Sequence, residues 1–399
     1  MIERGRRYAT NTPVSATFLV TSAILAIAVD VGLVRLGYGL ALPAIRLELP
    51  GSYATYGAVG TAHFVGYLLG TLLAPIVLRR DIGGRRTAVG SHALVAVFLF
   101  ASAFVQSLFA FGLLRALMGV ACGLGVASAV TGTLERTSVA RRSAVSGFVW
   151  GGVALGLVLS ALAAPAILTH PDDWRTAIVV AGAIALLAAL TLGIAFAPGF
   201  PAAAPVREVP FRLADLLDPR RYLFLSAAYF CFGVAYTAFA TFFVAALRSV
   251  HATPIAIGIV WAAVGLAALI GGLFVGQIMA RRRDALSIAL GCAAAGAAVA
   301  SFSGIFAAIA GTLAVGLGFA SAPAIATALA RSRSSAGTSA AAFVAITAVV
   351  GVGQIAGPAV AGALADHFSP NSVTMFSASV YALGAALAFI DAKVATAPA

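Results

Sequence analysis

A single stretch of the chain already indicates how the rest folds. Residues 175–197 read RTAIVVAGAIALLAALTLGIAFA, an apolar run whose one charge is its first residue. About 20 consecutive apolar residues are what a helix needs to cross a bilayer. A transmembrane strand would instead alternate apolar and polar residues over about ten positions. The stretch therefore predicts a transmembrane helix.

Eleven further apolar runs make the same prediction along the chain. Of the 399 residues, 61% are hydrophobic and 10% are charged, whereas about a quarter of a soluble domain is charged. This composition excludes a soluble enzyme, a disordered protein and a secreted disulfide scaffold. We expect an all-α integral membrane protein with twelve transmembrane helices. The predicted spans are 15–45, 54–78, 87–105, 108–133, 144–168, 175–197, 222–246, 254–279, 285–303, 305–330, 338–364 and 372–391.

The one long polar interruption, residues 198–221, follows the sixth run. It contains five prolines and four arginines, which is typical of a linker. We therefore expect an N-terminal six-helix bundle at 1–197, a cytoplasmic linker at 198–221 and a C-terminal six-helix bundle at 222–399. Two sets of six helices with weak internal repetition are a transporter architecture.

Basic residues concentrate on one side of the predicted helices. With the N-terminus inside, the cytoplasmic segments carry twenty of the 25 Arg and Lys residues, and the opposite segments carry three. This positive-inside bias predicts a multi-pass protein of the inner (plasma) membrane with both termini cytoplasmic. It also explains the net charge of +12 without a nucleic-acid partner. The oligomeric state stays open, with a monomer as the expectation.

Three charged residues lie well inside predicted spans, namely Asp30, Arg35 and Arg115. Each costs about 2.5–3.5 kcal/mol at a helix centre, so an intramembrane charge is a functional candidate by default. At 1.5 Å per residue, Arg35, Arg115 and His63 lie at similar depths. A cationic cluster there would bind an anion, because Arg presents a fork of donors that suits carboxylates. The alternative is that each Arg braces backbone carbonyls.

Asp30 is the only acidic residue near the centre of any span, and it is our candidate for a proton carrier. His63, which titrates near neutral pH, is the second proton-coupling candidate. The alternative for Asp30 is a structural counter-ion. Asp30 and Arg35 are five residues apart, about 140° around an α-helix, so direct pairing between them is poor. His92 is expected to be structural.

Polar side chains on other spans complete the predicted pocket. Tyr38 in the first span and Tyr236 at the corresponding place in the seventh are favoured as pocket residues, ahead of Tyr229 and Trp261. Gln354 in the eleventh span either contacts substrate or bridges helices. No His, Cys and carboxylate residues have metal-ligand spacing, so neither a metal nor a cofactor is expected.

Motifs in several spans resemble those of the major facilitator superfamily. The segment DIGGRR at 81–86 resembles the family's D-R-x-G-R-R loop, and RALMG at 115–119 resembles its R-x-x-x-G motif. Two further stretches, RLGYGLALPAIR at 35–46 and GVGQIAGP at 351–358, are similar to the YbfB/YjiJ-like branch. The resemblance implies alternating access, a site lined by spans 1, 4, 7 and 10, and a cytoplasmic latch. The latch residues would be Asp81, Gly84, Arg85 and Arg86.

These observations together predict a secondary active transporter that moves a small organic anion with protons. Its substrate-binding residues would be Arg35, Tyr38, Arg115, Tyr236 and Gln354. The alternative is a proton-driven multidrug or cation exporter that uses Asp30 as its cation-binding carboxylate. A sensor without net transport also stays open. An enzyme is not expected, because it needs a nucleophile–base pair or clustered carboxylates.

Overall fold

The computed structural model describes residues 14–79, 84–170, 172–197, 216–275, 282–302, 304–334 and 339–395. All regular structure in these ranges is helical. Twelve principal helices follow one another within these ranges. They are α1 Ala16–Glu48, α2 Tyr53–Arg79, α3 Gly84–Ser102, α4 Leu108–Glu135, α5 Arg142–Thr169, α6 Asp173–Ala195, α7 Leu223–Ser249, α8 Pro254–Ile270, α9 Ala285–Ala300, α10 Ile305–Ser332, α11 Ser339–His367 and α12 Ser372–Val394.

Within the described ranges, ten helices are long and apolar enough to cross a membrane. The other two are α3, which begins with two arginines, and α9, which has 16 residues. The prediction of a twelve-helix membrane protein built from two sets of six is confirmed. The predicted boundary between 285–303 and 305–330 is also present, because Gly304 separates α9 from α10. Its φ of 119° is a conformation that residues with a Cβ rarely adopt.

The first helix is not α-helical throughout. Between its α-helical parts, Ala16–Ile27 and Gly37–Glu48, lies the π-helical segment Ala28–Leu36. Such segments are rare and often occur at functional sites. This one carries both Asp30 and Arg35.

Backbone contact between α2 and α4 depends on glycine. A Cβ on Gly119 would lie 2.1 Å from the carbonyl oxygen of His63, and a Cβ on Gly123 would lie 2.5 Å from that of Tyr67. No side chain fits in these gaps, so the two helices are in close backbone contact at Gly119 and Gly123. Arg115 lies one turn before Gly119. This packing brings the polar residues of α2 and α4 to the same level.

Arginines at one end of the helices join elements within the same half. We call the end that carries Arg136 and Arg333 the basic end. Arg136 Nη1 donates to the carbonyl oxygen of Ala195 at 2.7 Å, which ties α4 to α6. Arg333 Nη2 lies 2.6 Å from Asp391 Oδ2, which ties α10 to α12. Equivalent helices of the two halves are therefore braced in the same way.

Contacts at the opposite end cross between the halves. A Cβ on Gly57 of α2 would lie 2.3 Å from the carbonyl oxygen of Pro358 in α11. The carboxylate of Asp366 in α11 accepts hydrogen bonds at 2.7 Å from the backbone N–H groups of Tyr53 and Ala54. These groups begin α2, where a negative charge is favourable. Helix α1 also packs on α7, and α5 packs on α8.

Candidate functional site

The π-helical segment changes the relation between Asp30 and Arg35. In a π-helix each carbonyl bonds the N–H five residues on, as Gly32 does with Gly37. Residues five apart therefore lie one turn apart on nearly the same side. The expectation of about 140° between Asp30 and Arg35 is wrong, because it assumed α-helical geometry. The two side chains still do not pair, since Asp30 has another partner.

Aromatic rings hold the guanidinium of Arg35. Its Cζ lies 3.9 Å from the ring centroid of Tyr67 and 5.2 Å from that of Phe64, so both cation–π contacts come from α2. Nε and Nη2 of Arg35 are buried and donate no hydrogen bond to any described residue. The side chain thus presents a positive charge with unused donors.

Arg115 combines bracing with the same electrostatic role. Its Nη1 donates to the carbonyl oxygen of Val34 at 2.5 Å, at the end of the π-helical segment. Its Cζ lies 4.5 Å from the ring centroid of Tyr38. His63 on α2 faces both Arg115 and Arg35, and neither of its ring nitrogens bonds a described residue. The structure thus brings the three predicted cationic or titratable side chains together.

The second half of the chain contributes Tyr236 and Gln354. The hydroxyl of Tyr236 faces both the guanidinium of Arg35 and the side-chain amide of Gln354. Tyr38 behaves differently, because its hydroxyl donates to the carbonyl oxygen of Tyr56 at 2.8 Å. Of the five predicted substrate-binding residues, Arg35, Tyr236 and Gln354 meet between the halves. Tyr38 and Arg115 instead bond backbone carbonyls within the first half.

An apolar cavity adjoins this polar group. Tyr236 belongs to both the polar group and the cavity lining. Trp261 of α8 also lines the cavity, and its Nε1 donates to Ser160 Oγ of α5 at 3.1 Å. The lining residues are Leu36, Leu157, Tyr236, Phe239, Ala240, Trp261, Val264, Val315 and Phe319. The site therefore has a cationic end and an apolar wall.

Sequence reasoning missed one residue of this region and considered another without favouring it. Tyr67 lies under Arg35, and its position one helical turn after His63 was the signal that could have found it. Trp261 was set aside as a packing residue, although it lines the cavity.

The partner of Asp30 is His92 of α3, which the sequence analysis took as structural. His92 Nε2 lies 3.2 Å from Asp30 Oδ2, and both side chains are fully buried. His63, the second proton-coupling candidate, lies instead with the arginines. Sequence did not indicate the contact of Asp30 with His92, because it does not show how far each helix extends relative to its neighbours.

The predicted latch is described in part. Asp81 lies outside the described residues. Gly84 begins α3, Arg85 Nε donates to the carbonyl oxygen of Gly193 in α6 at 3.0 Å, and Arg86 is exposed. The Arg85 contact lies within the first half, so it braces α3 against α6.

Two six-helix halves with a polar site between them, to which the interrupted helix α1 contributes, are typical of membrane transporters. The family model described as "Uncharacterised MFS-type transporter YbfB" matches residues 27–390. The chain belongs to that family. It is accordingly a multi-pass membrane transporter for a small molecule and not an enzyme.

Two relatives give further comparison. A crystal structure of a mutant of the nucleoside transporter NupG superposes with a TM-score of 0.71, covering 94% of this chain and 98% of that one at 14% identity. That likeness shows the fold alone. The gentisate transporter of Corynebacterium glutamicum is 26% identical over 137 residues, which are 34% of this chain and 31% of the relative. The match thus spans about a third of that curated relative's length.

Proposed function

We propose that the protein moves a small organic anion across the inner membrane together with protons. In this proposal both termini are cytoplasmic, residues 1–197 and 222–399 form the two rocking bundles, and 198–221 link them. The protein would act as a monomer. The excess of basic residues on one side of the helices supports this orientation.

The observation that carries the substrate class is the guanidinium of Arg35. It is a cation inside the protein, held by aromatic rings rather than by a carboxylate, and two of its nitrogens have no described acceptor. A buried donor without a partner is costly. A carboxylate on the substrate would satisfy that donor fork and neutralise the charge.

The neighbouring groups indicate what the rest of the substrate is like. Tyr236 and Gln354 can hydrogen-bond polar atoms next to the anionic group, while Phe319 and Trp261 offer an apolar wall. A compact anion with an apolar body fits this division. The partial match to a gentisate transporter agrees with it, since gentisate is an organic anion.

The closed contacts at the opposite end support alternating access. The hydrogen bonds that Asp366 of α11 accepts from the start of α2 join the halves there, as does the packing of α1 on α7. In the proposed orientation, these contacts lie on the outer side of the membrane and close the site to that side. Rocking of the bundles about the Arg35 level would expose the site to the other side.

The exporter alternative has less support. It needs the carboxylate of Asp30 to be available for a cationic drug, yet His92 lies against that carboxylate. The charged group of the site that faces Tyr236 of the second half is the guanidinium of Arg35. A cation entering there would meet a positive potential.

Transport by purified protein in proteoliposomes tests the proposal. The probes are gentisate, benzoate and lactate as anions and tetraphenylphosphonium as a cation, each with and without an imposed pH gradient. We expect uptake of at least one anion, stimulated by the gradient and lost in Arg35→Ala. Arg248→Gln, a change at an exposed arginine, is the matched control and should transport normally. Transport of the cation alone, unchanged in Arg35→Ala, would overturn the proposal.

A further inference from the structure

We propose that Asp30 and His92 act as one unit that holds a single proton between them in this conformation. His92 is then a positioning residue and proton partner for Asp30, a role that the sequence did not suggest. The inference deepens the proposed function, because it names the group whose proton would accompany the anion.

The hydrogen-bond geometry of His92 carries the argument. Its Nδ1 lies 2.8 Å from the carbonyl oxygen of Ala88. A carbonyl can only accept, so Nδ1 must carry a hydrogen. A neutral imidazole has one N–H, so in that form Nε2 is a bare lone pair. This same Nε2 faces Asp30 Oδ2 at 3.2 Å.

Two lone pairs cannot face each other stably in a buried site. If His92 were neutral and Asp30 ionised, Nε2 and Oδ2 would repel each other across 3.2 Å, a separation too short to hold a water between them. One additional proton removes the conflict, whether it resides on the imidazole or on the carboxyl. The pair with this proton is neutral overall, whereas without it the pair carries one negative charge.

The surroundings supply no other strong partner for Asp30. Neither of its oxygens accepts a well-aligned hydrogen bond from a described residue. The thiol of Cys122 on α4 and the phenol of Tyr67 on α2 face it, and both groups are neutral in their ordinary state. On α1 itself, Arg35 is one turn away, and the carbonyl of Ala26 faces the ring of His92.

Glycine on α4 makes room for the pair. A Cβ on Gly125 would lie 2.7 Å from Asp30 Oδ2 and 3.0 Å from His92 Cε1. Any side chain at this position would force the carboxylate, and with it the imidazole, to shift from the positions in which they meet. Gly125→Ala is therefore a variant that disturbs the contact while keeping both titratable groups.

The position of the pair also links it to the anion site. Arg35 lies one turn along the same π-helical segment, so an anion bound there adds negative charge near the pair. Negative charge favours the protonated, neutral pair over the unprotonated, anionic one. Proton and anion binding would then favour each other, and the effect must be reciprocal.

Nitrogen NMR of the substrate-free protein tests the pair. The chain has five histidines, and with ¹⁵N-labelled histidine the His92 signals are identified by their loss in His92→Gln. Infrared spectra of wild type and Asp30→Asn report whether the carboxyl group is protonated. We expect, at neutral pH, either a doubly protonated His92 or a carboxylic-acid band that is lost in Asp30→Asn. A singly protonated His92 with no acid band would overturn the proposal.

Two variants make the test specific to the contact. If His92 is doubly protonated in wild type, that signature should be lost in Asp30→Asn and in Gly125→Ala. Its persistence in Asp30→Asn would overturn the pair, because the proton would then belong to His92 alone. His170→Gln, at an exposed site, should leave the His92 signals unchanged. Thermal unfolding of each variant checks that it is folded.

The readout needs no substrate, so its failure is separable from that of the proposed function. If the pair holds its proton but neither gentisate nor benzoate moves protons, the pair stands and the anion–proton proposal fails. If those anions move protons while His92 shows one N–H and no acid band exists, the function stands and the pair fails.

Discussion

Two buried polar groups lie one turn apart on the same π-helical segment, and they are built in opposite ways. Asp30 is enclosed within the first half, where His92 meets it at 3.2 Å. Arg35 sits on the faces of Tyr67 and Phe64 and is directed to Tyr236 of the second half, with two nitrogens unbonded among the described residues.

The difference between them indicates which group carries a proton and which binds a substrate. A buried charge is tolerated when it has a partner or can become neutral. The Asp30–His92 pair can become neutral by taking one proton. Arg35 cannot lose its charge, so its anionic partner must come from elsewhere. The first arrangement suits a proton and the second suits a substrate.

The largest effect is expected from removing the cation. In Arg35→Ala the affinity for a transported anion should fall about 100-fold, because a charge-assisted donor fork is lost. Arg35→Lys should be intermediate, since it keeps the charge but not the fork. Calorimetric titration with gentisate and benzoate measures both. Equal affinity in wild type and Arg35→Ala would show that Arg35 does not bind the anion, and its proposed role, distinct from that of the Asp30–His92 pair, would fail.

Neutralising the acid should affect coupling rather than recognition. In Asp30→Asn the anion should still bind within about threefold of wild type, because Arg35 is intact. Accumulation driven by a gradient of one pH unit, about tenfold for one proton, should disappear. Radiolabelled uptake with and without the gradient gives the two numbers. Retention of tenfold accumulation would show that the proton travels elsewhere, with His63 as the next candidate.

The two tyrosines of the pocket sharpen the comparison further. Tyr236→Phe removes a hydroxyl that faces Arg35, and anion affinity should fall about fivefold. Tyr38→Phe is the matched change, but its hydroxyl bonds the carbonyl oxygen of Tyr56. It should lower the unfolding temperature while leaving affinity unchanged. Reversal of these two outcomes would place the substrate on the Arg115 side of the site.

The smallest effect is expected far from both groups. Asp366→Asn removes the negative charge that accepts hydrogen bonds from the start of α2, which weakens the contact between the halves. The conformation in which the halves are separated at this end should therefore gain about two- to fivefold in population. Spin labels at Phe104→Cys and Arg248→Cys, in a Cys292→Ser background, report the separation of the halves. Asp172→Asn, at an exposed carboxylate of the same end, is the control. An unchanged distance distribution would show that other contacts keep this end closed.

Much of the fold was predictable, because membrane helices are set by long apolar runs and by turns. The twelve spans, the boundary at Gly304 and the family all follow from local sequence. The change from α to π geometry did not follow. It depends on how α1 packs against its neighbours, and it alters which residues share a side.

The site was predictable by residue type and less so by partnership. Charge inside a span was enough to single out Asp30, Arg35 and Arg115, since each is costly there. The pairing of Asp30 with His92 was missed because depth along one helix does not fix the offset of another. Tyr236 and Gln354 were found, but their meeting with Arg35 depends on contacts between the halves.

Proton uptake on anion binding is the measurement that tests the central claim most directly. Gentisate and benzoate would be titrated into purified protein in buffers of different ionisation enthalpy, with Asp30→Asn and Arg35→Ala in parallel. We expect uptake of up to about one proton per anion bound by wild type, binding without uptake in Asp30→Asn, and binding weakened about 100-fold in Arg35→Ala. Anion binding that takes up as many protons in Asp30→Asn as in wild type would contradict it.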